Sequence, residues 1–331
     1  MKALVYTAPL TVAFRDEPDP VPGNDEVLVK VDAVGICGSD MHAYHGHDER
    51  RPPPLILGHE ASGRIVTGPR TGQRVAVNPL VTCGTCDVCI DGRPHLCRSR
   101  VVTSMPARPG AFAELVRIPE ANVVHLPDSF DIVKASLAEP VAVSYHAVHR
   151  GVKALTRPLS SARCAVLGGG AIGLASALVL DMLGAAEVHV GEPNGLRRKT
   201  VEKSGPFKAY APGGPGEPPE SSIDLVIDAV GAEATRAASC RLVEPGGAIV
   251  HIGLLPGSAG LDIRKITLQE VALLGSYCYT MADFRETVAA LASGKLGDLD
   301  WIEQRPLRQG GAAFCDIDAG RTSAAKIILR P

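Results

Sequence analysis

The chain of 331 residues is 45% hydrophobic and 21% charged, with a formal net charge of −2. That length accommodates two ordinary domains, and that composition buries a core rather than remaining disordered. The near-balanced charge excludes the basic face of a nucleic-acid binder and offers nothing to an anionic membrane surface.

In chain order, the opening MKALVYTAPLTVAFRDEPDP reads as two short strands around a Pro-containing turn. It has no apolar run followed by a small-residue cleavage site, so a soluble, cytoplasmic protein is expected. Residues 1–130 continue with short alternating runs such as EVLVKVDAV and QRVAV, an all-β pattern. Cys37 stands apart in GICGSDMHAYHG, and His59 and Glu60 follow Gly58 in LILGHE. Cysteine, histidine and carboxylate are all zinc ligands, and a catalytic zinc takes three protein groups with one open position. Singly, Cys37 also reads as a small buried hydrophobe and His59 as a hydrogen-bonded core residue.

Cys83, Cys86, Cys89 and Cys97 follow the spacing C-x2-C-x2-C-x7-C. Without a secretory signal, clustered cysteines point to metal rather than to disulfides. Four thiolates about 2.3 Å from a zinc close its tetrahedral shell, so this site reads as structural. Gly84 and Gly92 ease the turns that aim the thiolates inward. A zinc-ribbon nucleic-acid module would separate two C-x-x-C pairs widely, and the charge also counts against one.

Near residue 132 the pattern changes. DIVKASLAEPVAVSYHAVHRGV reads as helical, and strand then alternates with helix: CAVLGGG, a helix from Ala171, EVHVGE, a helix around Leu196–Lys203, IDLVIDAVG, a helix around Ala232–Leu242, and GAIVHIGL. This alternation predicts a parallel sheet covered by helices. Gly168, Gly170 and Gly173 match G-x-G-x-x-G at a strand–turn–helix junction, with Ala171 and Ile172 before the third glycine. Such a turn brings backbone close to a pyrophosphate at a helix N-terminus. Glu192 stands where a ribose 2′-hydroxyl would be accepted, which favours NAD over NADP. Arg197 and Arg198 follow closely and could compensate for a 2′-phosphate; as a solvated helix face they would not. The sheet-end turns around Val230 and around Ile252 and Gly253 lie where ligands meet an open parallel sheet. A further helix is expected around Asp283–Ala292, followed by short strands.

Cys37-Gly38-Ser39-Asp40-x-His42, then Gly58-His59-Glu60, then the four-cysteine lobe, then G-x-G-x-x-G resembles the zinc-dependent medium-chain dehydrogenases over nearly the whole chain. The resemblance implies an α/β protein with a GroES-like β-rich catalytic domain over residues 1–140, its structural zinc lobe at 83–97. It further implies a Rossmann doubly wound parallel-sheet domain for NAD over residues 141–276 and a return of residues 277–331 to the first domain. Glu139 in LAEPVAVSYHAV replaces the cysteine of alcohol dehydrogenases proper, which is similar to the polyol, sugar and threonine branch. By that resemblance Cys37, His59 and Glu60 hold a catalytic zinc, with Glu139 direct or bridged by water, and Glu60 also takes part in catalysis. As a plain helix N-terminal acid, Glu139 would instead be stabilised by the macrodipole.

The same resemblance routes the alcohol proton through Ser39 and His42. Asp40 is expected to hold local structure, and His45 and His47 to form a solvated rim. Tyr44, Met105 and Ser276-Tyr277-Cys278 are placed at the substrate pocket by position. No arginine stands between Gly275 and Thr280, where polyol dehydrogenases often carry one, which counts against sorbitol itself. The expected activity is hydride transfer between a secondary alcohol or its carbonyl product and NAD, with one catalytic and one structural zinc per subunit, in a homodimer or homotetramer. The alternatives are an NADP-dependent aldehyde or ketone reductase and a non-catalytic nucleotide-binding protein of the same fold.

Overall fold

The structure is a computed structural model that describes residues 1–331. The strand Glu26–Gly35 carries the alternation seen in its sequence, with Val27, Val29 and Val31 buried and Lys30 exposed. Period-two patterning of this kind turns one face of a strand to the core. Antiparallel neighbours extend from it: Glu60–Ile65, Arg74–Val77 and Val123–His125 on one side, and Leu115–Pro119 along its first half. On the other side the C-terminal strand Lys326–Arg330 pairs with Val34 and Gly35, and Ile302–Pro306 pairs with that strand in turn. The last residues of the chain therefore complete the first sheet. A core of Leu4, Val29, Phe112, Phe314 and Leu329 lies beneath it.

The second sheet has six strands, all parallel: Lys208–Tyr210, Glu187–Gly191, Arg163–Leu167, Ile223–Asp228, Val243–His251 and Ala272–Gly275, in that spatial order. Ile223–Asp228 is buried at every position, because helices cover both faces of a parallel sheet. The strand order reverses beside Arg163–Leu167, which opens a ligand crevice at the carboxyl ends of the strands.

Helix Ala138–Ala154 packs on helix Ala171–Met182 and on Met281–Ala292, sharing their core. Phe284 and Leu291 of helix Met281–Ala292 are buried in it, each worth about 1.5–3 kcal/mol relative to exposure. Of residues 277–331, only the strands after this helix join the first sheet; the helix itself stays with the second core. The 140/141 boundary falls inside the first turn of Ala138–Ala154. No helix is long and apolar enough to cross a membrane.

Candidate active site

Cys37 follows the long strand and caps helix Gly38–Tyr44. His59 and Glu60 enter the adjacent strand from Gly58, whose φ of +90° suits glycine. A Cβ at Gly58 would also stand 2.6 Å from the Phe112 ring. Pairing of Gly35 with Glu60 brings the two segments side by side. As a result, one ligand atom each of Cys37, His59 and Glu60 lie within 4.8 Å of one another.

Asp40 secures this arrangement. It is fully buried and accepts the backbone N–H groups of Cys37 at 3.0 Å and Gly58 at 3.3 Å. Its Oδ1 also stands 3.5 Å from His59 Nδ1, and Ser104 Oγ stands 3.4 Å from the same nitrogen. With Nδ1 occupied, Nε2 is left for a metal. Burial alone would lower the His59 pKa, but the charges of Asp40 and Cys37 outweigh it and hold the value well above normal.

Glu60 is completely buried. Its Oε1 is paired with Lys326 Nζ at 2.7 Å, and that ammonium also donates to Ile36 O at 2.9 Å. Burial depresses the Lys326 pKa, but Glu60 and Cys37 more than restore it. Glu60 Oε2 is buried with no partner, a costly state that a cation would relieve. Thiolate, imidazole and carboxylate together suit zinc. Glu139 is not among the converging atoms. It opens helix Ala138–Ala154, faces the same cleft and accepts a hydrogen bond from Tyr279 OH at 3.0 Å. Burial, reinforced by Glu60, pushes its pKa to about 7.

The four-cysteine lobe has Sγ–Sγ distances of 3.9, 3.5, 3.8 and 3.5 Å. The edge of a tetrahedron with arms of about 2.3 Å is about 3.8 Å, so the thiols fit a closed zinc shell. Gly84 and Gly92 both have positive φ, at +70° and +77°.

The glycine turn lies at the sheet's crevice. Gly168 has φ +102°, and a Cβ there would meet Val230 at 2.6 Å. A Cβ at Gly173 would fall on the Gly168 carbonyl, whereas nothing lies within 4 Å of one at Gly170. The first N–H groups of helix Ala171–Met182 have no side-chain cap, which leaves them for an anion. Glu192 is buried, with Oε2 accepting from Gly169 N and Oε1 from Asn194 N, both at 2.8 Å. Arg198 turns away to bond the Glu192 and Pro193 carbonyls, whereas Arg197 lines the cleft. Gly168, Gly170, Ala171, Ile172, Gly173, Glu192 and Val230 line it too, enclosing about 280 Å³.

A second cleft of about 300 Å³ continues from the first across Cys37, Gly38, Ile172, Ala229 and Val230. Ser39, His42, His59, Met105, Ile252, Gly253, Ser276, Tyr277 and Cys278 line it. Ser39 and His42, three apart, share one face of their helix. Tyr44 does not line it, contrary to expectation. It points from the other side of that helix into the first core, 5.0 Å from the Phe314 ring, with its OH 3.7 Å from Cys315 Sγ. His45 is not simply solvated: its Nε2 pairs with Asp318 at 2.7 Å, while His47 is exposed. Cys278 has φ +47°, unusual for a side-chain-bearing residue, at the turn between Tyr277 and Tyr279.

Sequence reasoning missed Lys326, Tyr279, Arg50 and Arg51. A lone lysine in the apolar strand KIILR was a signal for Lys326. Tyr279 lay one residue beyond the segment singled out, and nothing local marked the arginines.

Two family models match the chain, "Alcohol dehydrogenase GroES-like domain" over residues 23–128 and "Zinc-binding dehydrogenase" over residues 171–293. L-galactonate-5-dehydrogenase of Escherichia coli (strain K12) is 31% identical over 309 residues, covering 89% of this chain and 88% of its own. Among solved structures, a zinc-binding dehydrogenase of Sinorhizobium meliloti 1021 bound to NADP superposes with TM-score 0.88 at 29% identity, covering 100% of this chain and 99% of its own. An alcohol dehydrogenase of E. coli CFT073 complexed with NADH gives TM-score 0.88 at 25% identity, with the same coverage.

Proposed function

We propose, from the premise that the chain belongs to the zinc-binding alcohol dehydrogenase family and to its polyol-dehydrogenase-like branch, that it oxidises a secondary alcohol of the polyol, sugar or hydroxy-acid type with NAD. The observation that carries this reading is the convergence of Cys37, His59 and Glu60, with Cys37 lining both clefts and His59 the second. Zinc held by these residues would act as a Lewis acid on the substrate hydroxyl, and a nicotinamide in the adjoining cleft would take the hydride. One C–H and one O–H bond break, a C=O bond forms, and the proton goes to solvent.

The chain's own groups handle that proton. Ser39 Oγ lies 3.5 Å from His59 Nε2, beside the ligand cluster, and receives it from the substrate hydroxyl. His42 takes it onward. Burial lowers the His42 pKa against the opposing pull of Asp48, so its imidazole is neutral and ready to accept at neutral pH. Asp40 holds the His59 ring, and Lys326 pairs with Glu60 Oε1 and holds that carboxylate in place. Tyr279 fixes the Glu139 carboxyl within reach of the cluster.

For the cofactor, Glu192 favours a free ribose 2′-hydroxyl over a phosphate. Wild-type protein is expected to show a higher kcat/KM with NAD than with NADP. Glu192→Gln keeps an acceptor for one of the two loop N–H groups and removes the charge, and should shift the ratio towards NADP by about tenfold. The second reading, an NADP-dependent carbonyl reductase, draws support from Arg197, which lines the cleft without an intramolecular partner. A wild type that prefers NADP would establish that Arg197 dominates. Screening secondary alcohols, polyols and sugar acids with each nucleotide, by absorbance of the reduced form, tests both readings.

A homodimer or homotetramer is part of the proposal. Strand Ala272–Gly275 is an unpaired sheet edge, and Leu254, Leu255, Ile263, Leu268 and Leu273 are exposed on or near it. An open apolar edge of this kind seeks a partner. Light scattering should report more than one subunit, and Leu268→Asp with Leu273→Lys should yield monomer. A monomeric wild type would remove this part.

A further inference from the structure

The substrate cleft carries cations that the chemistry above does not use. Arg50 and Arg51 both line it. Arg51 is buried and occupied: its Nε donates to Ser104 O at 3.1 Å, and its Nη1 to Ser39 O at 3.2 Å and Asp48 Oδ2 at 2.9 Å. It binds this loop to the surroundings of His59. Arg50 differs. Its Nε and Nη2 hold the Asp48 carboxylate in a fork at 2.8 and 3.0 Å, its side chain is 61% exposed, and its Nη1 bonds nothing in the chain.

Arg100, just beyond the cysteine lobe, approaches the same wall. Its guanidinium lies 5.0 Å from the centroid of the Tyr277 ring. Its Nε donates to Tyr277 OH at 3.4 Å and its Nη1 to Cys97 O at 2.9 Å, leaving Nη2 free of intramolecular bonds. Arg50 and Arg100 are each within electrostatic reach of both Tyr277 and Cys278. Asp48 offsets one of the three positive charges, and the exposed Glu49 bonds none of them. The inner end of the cleft is lined instead by Cys37, His59 and Glu139, with no arginine or lysine.

Exposed arginines are commonly just solvated. These two are held, one by a carboxylate fork and one by an aromatic face, and each keeps an N–H donor unspent. Planar guanidinium groups already ordered by the protein lose little entropy when they engage an oxyanion. A ligand placing a hydroxyl at the ligand cluster therefore meets positive charge towards its other end.

We infer that Arg50 and Arg100 bind an anionic group, carboxylate or phosphate, on the polyhydroxy substrate and so select acidic polyols over neutral ones. This rests on the hydride-transfer reading of the same site. It also places the charge that the Gly275–Thr280 segment lacks on two other stretches of the chain.

The test compares kcat/KM for matched compounds: six-carbon aldonates, alditol phosphates and the neutral alditols. Wild type should prefer one of the anionic series by about tenfold or more, as charge-assisted hydrogen bonds would give, and the better series identifies the anion. The preference should weaken as salt is raised. In Arg50→Gln/Arg100→Gln the ratio of anionic to neutral kcat/KM should fall towards one, mainly through KM for the anion. The corresponding Lys variants should retain more of it. Single Arg50→Gln, at an exposed position, supplies the comparison if the double variant folds poorly, with melting temperature and zinc content followed throughout. Neutral alditols turned over as well as their anionic partners, or an unchanged ratio in the variants, would overturn the inference and leave hydride transfer standing. Failure of every compound to reduce NAD or NADP would overturn both.

Discussion

His59→Ala protein is expected to transfer hydride at less than about one thousandth of the wild-type rate, while Cys97→Ser protein keeps part of its activity and loses stability. Removing His59 takes one of three converging donors from an open site, and Lewis-acid stabilisation worth several kcal/mol goes with it. The surrounding sheet stays paired, and Asp40 keeps the N–H groups of Cys37 and Gly58. Nucleotide binding should therefore persist, and the melting temperature should fall by only a few degrees, about 2–4 °C for each kcal/mol lost in a domain of this size. Cys97 is a different case. It is fully buried and stands 3.8 and 3.5 Å from the Cys86 and Cys83 sulfurs, in a lobe whose short elements have little core of their own. Metal binding is folding free energy in such loops, about 10–16 kcal/mol in zinc-finger peptides. Serine stays protonated and ligates poorly. Its variant should lose about one equivalent of zinc per subunit and melt earlier. Arg100 links the lobe to Tyr277, so some loss of substrate affinity should accompany this. Zinc content, melting and turnover measured on both proteins decide the matter. A stable but inactive Cys97→Ser beside an active, unstable His59→Ala would reverse the two sites.

Two glycines of one motif should fail in different ways. A Cβ at Gly173 would fall on the backbone carbonyl of Gly168, so Gly173→Ala must push helix Ala171–Met182 away from the turn that faces the nucleotide. Overpacking against backbone costs about 1–3 kcal/mol. Melting temperature and nucleotide affinity should both drop, the latter by about a hundredfold as the helix N-terminus withdraws from the pyrophosphate. At Gly170 no atom lies within 4 Å of the added carbon, and its φ of −75° suits any residue. Gly170→Ala should fold with an unchanged melting temperature and bind NAD weakly, because the methyl occupies the nucleotide's side of the turn. Calorimetric melting and titration with NADH separate the two effects. Tight binding by Gly173→Ala would show that the helix can shift without loss, contrary to this assignment.

What the sequence determined by itself was local. Four cysteines within one loop, and three glycines across one strand–helix turn, have geometry set by a few φ/ψ angles, so their spacing implied their shape. The alternation of strand and helix after residue 132 was legible for the same reason, since the period of apolar residues reflects which face is buried. Groups that meet only when distant segments pair were not legible. Lys326 reaches Glu60 across 266 positions because the final strand lies against Val34 and Gly35, and Tyr279 reaches Glu139 across 140. Tyr44 shows the same limit within one helix: which side faces the cleft depends on how the helix seats on Phe314, not on its nearness to Ser39 and His42. Arg50 and Arg100 come from separate loops whose spacing says nothing of a shared wall. A buried charge needs its partner in space, and register, helix seating and the meeting of the two domains supply that partner without leaving a mark on neighbouring residues.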